Sequence, residues 1–134
     1  MSDTGPAGRP TVMVCITCRA AADLTAAMDV DAPRLGSVLA DATLAAAADD
    51  IAVLRVRCLG NCSRGPSAAI RCENTWTYIF GGLDPQRDGP SLITGAQLLA
   101  QASDGIMPWR GRPEALKRGL IARVPPIDFR EEPS

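Results

Sequence analysis

No histidine occurs anywhere in the chain. That absence excludes Ser-His-Asp and Cys-His catalysis, HExxH metalloproteases and every zinc site that needs imidazole, so a metal here must be held by sulfur or oxygen. Phenylalanine, tryptophan and tyrosine are present but scarce, at 4% of 134 residues. A packed core must therefore be filled by small and branched side chains. No uncharged run approaches the ~20 apolar residues of a membrane-spanning helix, which predicts a soluble protein with no membrane partner. The glycines form neither a GxxxxGK nor a GxGxxG phosphate loop. The N-terminal ten residues carry Asp3 and lack an apolar signal core, and bulky Val14 sits where a lipoprotein site wants a small residue. Those features point to the cytoplasm.

What is present is ordinary globular stock, 46% hydrophobic and 22% charged, with 12 glycines and 11 prolines to supply turns. This length suits one small domain. The organisation read from the chain is a disordered arm over 1–10, a domain over 11–105 and a basic, proline-containing extension over 106–134. The net charge of −1 is unevenly spread. Residues 106–124 hold five basic side chains against one acidic, while the chain on either side is net negative. The segment Arg110–Arg123 is accordingly a candidate surface for docking an acidic partner, with a solvated face as the plainer alternative. Nucleic acid is not an expected partner, because only Trp109 interleaves with those arginines.

Thr11–Ile16 is a β-branched apolar run that reads as a buried strand. Asp31 and Pro33 look like a cap and first turn for an amphipathic helix over about Pro33–Ala48, carrying Leu35, Val38, Leu39, Ala42 and Ala46. Ile51–Arg57 is a second strand. Ser67–Cys72 and Trp76–Phe80, separated by Glu73, Asn74 and Thr75, read as a hairpin. Ser91 is placed as the cap of a last helix. The order strand, helix, strand predicts two neighbouring parallel strands joined by a right-handed crossover, with both carboxyl ends at one sheet edge. The fold class is thus α/β, a small mixed sheet of about four strands flanked by helices.

Five cysteines in a reducing compartment suit metal or redox chemistry better than disulfides. Cys15 and Cys18 enclose two residues, thirty-nine residues follow, and Cys58 and Cys62 enclose three. Each pair begins where an expected strand stops, so the crossover brings four thiols to one place, with Gly60 and Asn61 able to take the tight turn. Four thiolates suit tetrahedral zinc or an iron–sulfur cluster. The long gap between the pairs, with a helix and a strand in it, favours the cluster over a zinc ribbon. Arg19, Arg57 and Arg64 flank the cysteines, either to offset cluster charge or simply for solubility. A third reading takes Cys15 and Cys18 as a thioredoxin-type dithiol, with Gly65-Pro66 in the position of an active-site cis-proline. Cys72 alternates with Ala68 and Ile70 and reads as a small buried hydrophobe. Trp76 and Tyr78 read as packing residues, and Asp49 with Asp50 as a solvated helix terminus.

The run Cys58-Leu59-Gly60-Asn61-Cys62-Ser63-Arg64-Gly65-Pro66, followed by a strand and then Trp76-Thr77-Tyr78, resembles the second half of thioredoxin-like 2Fe–2S ferredoxins. The resemblance spans about Val12–Ala102. The whole chain, including Phe80–Pro85 and Arg118–Pro126, also resembles an uncharacterised bacterial family of predicted metal-binding proteins often encoded near cobalamin biosynthesis genes. These resemblances imply a thioredoxin-like fold and a 2Fe–2S centre on Cys15, Cys18, Cys58 and Cys62. They also imply one-electron transfer to a redox partner rather than catalysis, with a homodimer an allowed assembly. The first pair departs from the ferredoxin pattern in having a shorter spacing, so zinc and the dithiol remain the alternatives.

Overall fold

The computed structural model describes residues 9–17, 34–61 and 64–131. Five strands form one mixed sheet in the order β2-β1-β3-β4-β5, with β1 Thr11–Cys15, β2 Ala52–Val56, β3 Ala68–Arg71, β4 Thr77–Phe80 and β5 Leu120–Val124. Three helices accompany them, α1 Leu35–Ala46, α2 Asp88–Gln101 and α3 Glu114–Arg118. The parallel pairing of β1 with β2 is present, in register from Thr11 opposite Ala52 to Cys15 opposite Val56. Every other pairing is antiparallel.

Strand alternation assigns the two faces. Val12, Val14, Ala68, Ile70, Tyr78 and Phe80 are all at most 1% exposed. They meet α1, which packs on β1 and β2, and α2, which packs on β1 and β3. The scarcity of aromatics is met by concentration, because Tyr78 and Phe80 stack at 6.3 Å in the middle of this core. The Tyr78 hydroxyl accepts the Met107 N–H at 2.9 Å, so the buried phenol is satisfied while anchoring the chain beyond α2.

The hairpin lies where the alternation placed it, and Asn74 at φ 66° takes the left-handed turn position. Two expectations change. The sheet has five strands rather than about four, because β5 pairs with β4 along Thr77–Phe80 with a bulge between Ile79 and Phe80. Its sequence, Leu120-Ile121-Ala122-Arg123-Val124, is mostly half-buried or exposed and lacks a clean alternation, which is why an edge strand there escapes pattern reading. The helix expected to be capped by Ser91, α2, starts four residues earlier than that cap would allow, at Asp88 with Arg87 as its N-cap, and it is followed by the short α3. The Asp88 carboxylate accepts the backbone N–H of Asp84 at 2.7 Å, and Pro90 falls in the first turn, where its missing N–H is harmless. The expected cap of α1 at Asp31 lies outside the described residues, and Arg34 occupies the N-cap without a side-chain hydrogen bond that caps the helix.

Candidate metal centre

A parallel strand pair must deliver both carboxyl ends to one edge, and the loops leaving β1 and β2 there carry the cysteines. The exit is stitched by hydrogen bonds. The Ile16 N–H donates to the Val56 carbonyl at 2.8 Å. The Cys15 thiol donates to the Arg57 carbonyl at 3.4 Å and lies 3.5 Å from the Thr17 hydroxyl, which donates to the same carbonyl. Since that carbonyl carbon is bonded to the nitrogen of Cys58, bond lengths alone keep the Cys15 and Cys58 sulfurs within about 11 Å of each other. On the other side, the Cys15 N–H donates to the Ser67 carbonyl at 3.0 Å, so Cys15 is held between the start and the end of the second cysteine loop.

The two thiols differ in setting. Cys15 is fully buried and Cys58 is exposed. Gly60 takes φ +76°, and its N–H donates to the Cys58 sulfur at 3.2 Å, an arrangement that stabilises negative charge on a thiolate ligand. Cys18 and Cys62, the second member of each pair, lie outside the described residues, as does Arg19. Among the described residues no group of three or more histidine, cysteine or acidic side chains is assembled to hold a metal.

The second cysteine loop is held mainly by backbone. The Arg64 N–H donates to the Asn61 carbonyl at 3.0 Å, and the Gly82 N–H donates to the Arg64 carbonyl at 2.5 Å. Asn61 Nδ2 donates to the buried Ser67 hydroxyl at 2.9 Å. The Gly65–Pro66 peptide is cis. Under this loop sits Gly81, where a Cβ would lie 2.5 Å from Asn61 Nδ2 and 2.6 Å from the Arg64 carbonyl oxygen. Gly81 in turn donates its N–H to the Gly119 carbonyl at 2.8 Å. A Cβ on Gly119 would come within 2.9 Å of the Gly81 oxygen. The loop of Cys58, the turn after β4 and the turn before β5 therefore meet backbone to backbone.

Sequence pattern does not mark these supports. Gly81 enters it only within the motif that closes the hairpin, and Gly119 only within a resembling tail. Arg34 carries no mark either, yet its guanidinium donates to the Thr17 carbonyl between Cys15 and Cys18 at 3.3 Å. A glycine pair after a strand and an arginine at a helix start carry no local signal for such contacts, which arise only in three dimensions.

Cys72 lies away from this edge, at the end of β3, half-buried against the core. Burial pushes its thiol above the ordinary value, the Glu73 carboxylate adds to that rise, and a backbone hydrogen bond at Glu73 opposes it. That setting favours the protonated thiol at neutral pH. Trp76 packs against the core, 5.5 Å edge-on to Phe129 and with the Arg123 guanidinium 4.4 Å from its ring.

A mixed sheet in this order, with the strand-helix-strand unit at one side and a hairpin at the other, defines a thioredoxin-like fold. The same fold is seen in the structure of a thioredoxin-like [2Fe-2S] ferredoxin from Aquifex aeolicus, which aligns over 92% of this chain and 100% of its own at 16% identity and a TM-score of 0.52. The chain belongs to the family described as Protein of unknown function (DUF1636), whose model matches residues 12–126. No curated protein matches it. Among the described residues no helix is long and apolar enough to cross a membrane.

Proposed function

We propose that this chain is a one-electron carrier that holds a 2Fe–2S cluster on Cys15, Cys18, Cys58 and Cys62. The observation that carries the reading is the joining of the β1 and β2 exits, where the Cys15 sulfur meets the carbonyl next to Cys58. The likeness of fold to a 2Fe–2S ferredoxin supports it. The donor set fits such a group in chemistry, since thiolates are its usual ligands. Cys58 already accepts an N–H of the kind that steadies a ligating sulfur. Cys15 fits on one condition. As a thiolate it can no longer donate to the Arg57 carbonyl, so its side chain must turn from that oxygen, leaving the Thr17 hydroxyl as that carbonyl's donor.

When bound, the cluster supplies one reversible electron. The chain's residues hold it in place, place cations beside it and limit the movement that accompanies the charge change. Arg34 serves by fixing the first loop, and exposed Arg57 and Arg64 border the second. An expected place for such a carrier is cobalamin biosynthesis, supported by the resemblance to a family encoded near those genes.

Anaerobic purification, followed by visible spectra before and after dithionite with iron, sulfide and zinc determined on the same sample, tests this reading. The expected result is a coloured protein that bleaches on reduction, with about two irons and two sulfides per chain. Cys58→Ser and Cys62→Ser should each lose the cluster, and Cys72→Ser should keep it. A colourless protein with about one zinc per chain would replace the electron carrier by a four-cysteine metal module. A metal-free protein that reduces disulfides would replace it by a dithiol oxidoreductase.

A further inference from the structure

Beside the second cysteine loop, Arg64, Gly81, Gly82, Ala115, Arg118 and Gly119 line a notch of about 180 Å³. Both arginines are exposed. They come from distant parts of the chain and meet because the glycine contacts described above bring the cysteine loop against the turn before β5. Among the described residues, the recorded ion pair is Arg55 with Asp41 at 2.5 Å, elsewhere on the surface. Two arginines border the notch, and among the described residues no carboxylate forms an ion pair with either of them.

We propose that this notch docks a carboxylate from an acidic surface of the electron-exchanging partner, which places the partner against the loop of Cys58 and Cys62. The inference rests on the electron-carrier reading and deepens it by naming the partner's chemistry. Three observations point the same way. The notch has room for an acidic side chain, and two of the residues lining it are arginines, whose guanidinium groups suit a planar oxyanion. Next to Arg118 on α3, Lys117 lies 5.0 Å from the ring of Trp109, and Arg112 approaches the same ring at 5.2 Å. Trp109 is 61% exposed. It therefore forms an aromatic platform held between cations, a pairing enriched at protein interfaces.

The third observation is the direction of the charge. Residues 106–124 are net positive in a chain whose total is −1, and β5 runs from the notch towards the acidic Asp128 and Glu131 beyond its far end. An approaching acidic partner is turned so that the cysteine edge faces it, and the effect weakens with salt. Single-stranded nucleic acid is the less favoured occupant. None of the residues lining the notch is aromatic, so it offers no ring for a base to stack on, and Trp109 already has cations against its ring.

Hexaglutamate is the probe, titrated into the full-length protein as purified, with amide shifts read at Gly81, Gly82 and Gly119. These amides should move, and affinity should fall about tenfold between roughly 20 and 200 mM salt. Arg64→Gln and Arg118→Gln should each weaken binding about threefold or more. Arg118→Glu should weaken it further, while Arg9→Gln on the opposite edge should not. Shifts confined to other residues, equal losses in Arg9→Gln and Arg118→Glu, or tighter binding of hexathymidylate to the same amides would each overturn the notch assignment. Because the titration needs no metal, binding by a protein that lacks iron would leave the notch standing and remove the electron-carrier reading. An iron–sulfur protein that ignores hexaglutamate would do the reverse.

Discussion

Gly81→Ala adds one methyl group where three segments touch through their main chains. The new carbon would stand 2.5 Å from Asn61 Nδ2 and 2.6 Å from the Arg64 carbonyl oxygen, both well inside van der Waals contact. The Asn61 amide can swing only by giving up its bond to Ser67. The Arg64 oxygen is backbone and accepts the Gly82 N–H, so the whole loop must lift. Overpacking of this kind costs about 1–3 kcal/mol, and the strained hydrogen bonds add up to about 1 kcal/mol each. In a chain of this size that lowers Tm by roughly 4 °C per kcal/mol. Gly111→Ala is the matched control. Gly111 has φ +82° and nothing within 4 Å of an added carbon, so its cost of about 1–2 kcal/mol is backbone strain alone. Thermal melts should show both variants weakened. On the proposed cluster, iron content and the visible spectrum should change in Gly81→Ala only. A Gly81→Ala protein as stable as the parent, or one weakened with its centre unaltered, would refute the argument that this glycine seats the cysteine loop.

Two further outcomes follow from the core. Tyr78→Phe removes the acceptor of a buried Met107 N–H and should cost about 1–3 kcal/mol in urea unfolding, with the m-value unchanged. Loss below a few tenths would mean that the Met107 amide finds another acceptor. Cys72 gives the alkaline limb of stability. Its folded thiol titrates above the ordinary value near 9, so the unfolded chain releases that proton first. Its contribution is therefore intact at neutral pH and is lost as pH rises from the ordinary thiol value towards the raised one. Cys72→Ala should flatten that decline. An unchanged slope, or alkylation of Cys72 as fast as a small-molecule thiol at the same pH, would show that burial does not protect it.

How much of this could be read from the chain depended on how local each cause was. The strands β1 to β4, the hairpin at Asn74 and the parallel pairing of β1 with β2 follow from alternation, turn residues and crossover length. All of these are short-range signals. The meeting of the first and second cysteine segments followed from topology, and the contact between Cys15 and Arg57 is its consequence. What escaped the pattern was long-range. β5 is an edge strand whose exposed residues alternate weakly, and it is secured by β4 rather than by its own composition. The seating of the loop on Gly81 and Gly119 depends on backbone approach, which leaves no mark in residue type beyond glycine itself. Asp88 displaced Ser91 at the start of α2 because a carboxylate reaching back to the Asp84 amide fixed the first turn earlier.

The pairing of β5 with β4 also bears on how the chain can be shortened. Cutting at residue 105 would bare the backbone donors and acceptors along Thr77–Phe80 that β5 now occupies, together with the half-buried side of Ile79. An uncovered strand border of that kind recruits a neighbour's strand. A shortened chain would then be prone to associate with itself through β4, and its oligomeric state would say little about that of the 134-residue chain.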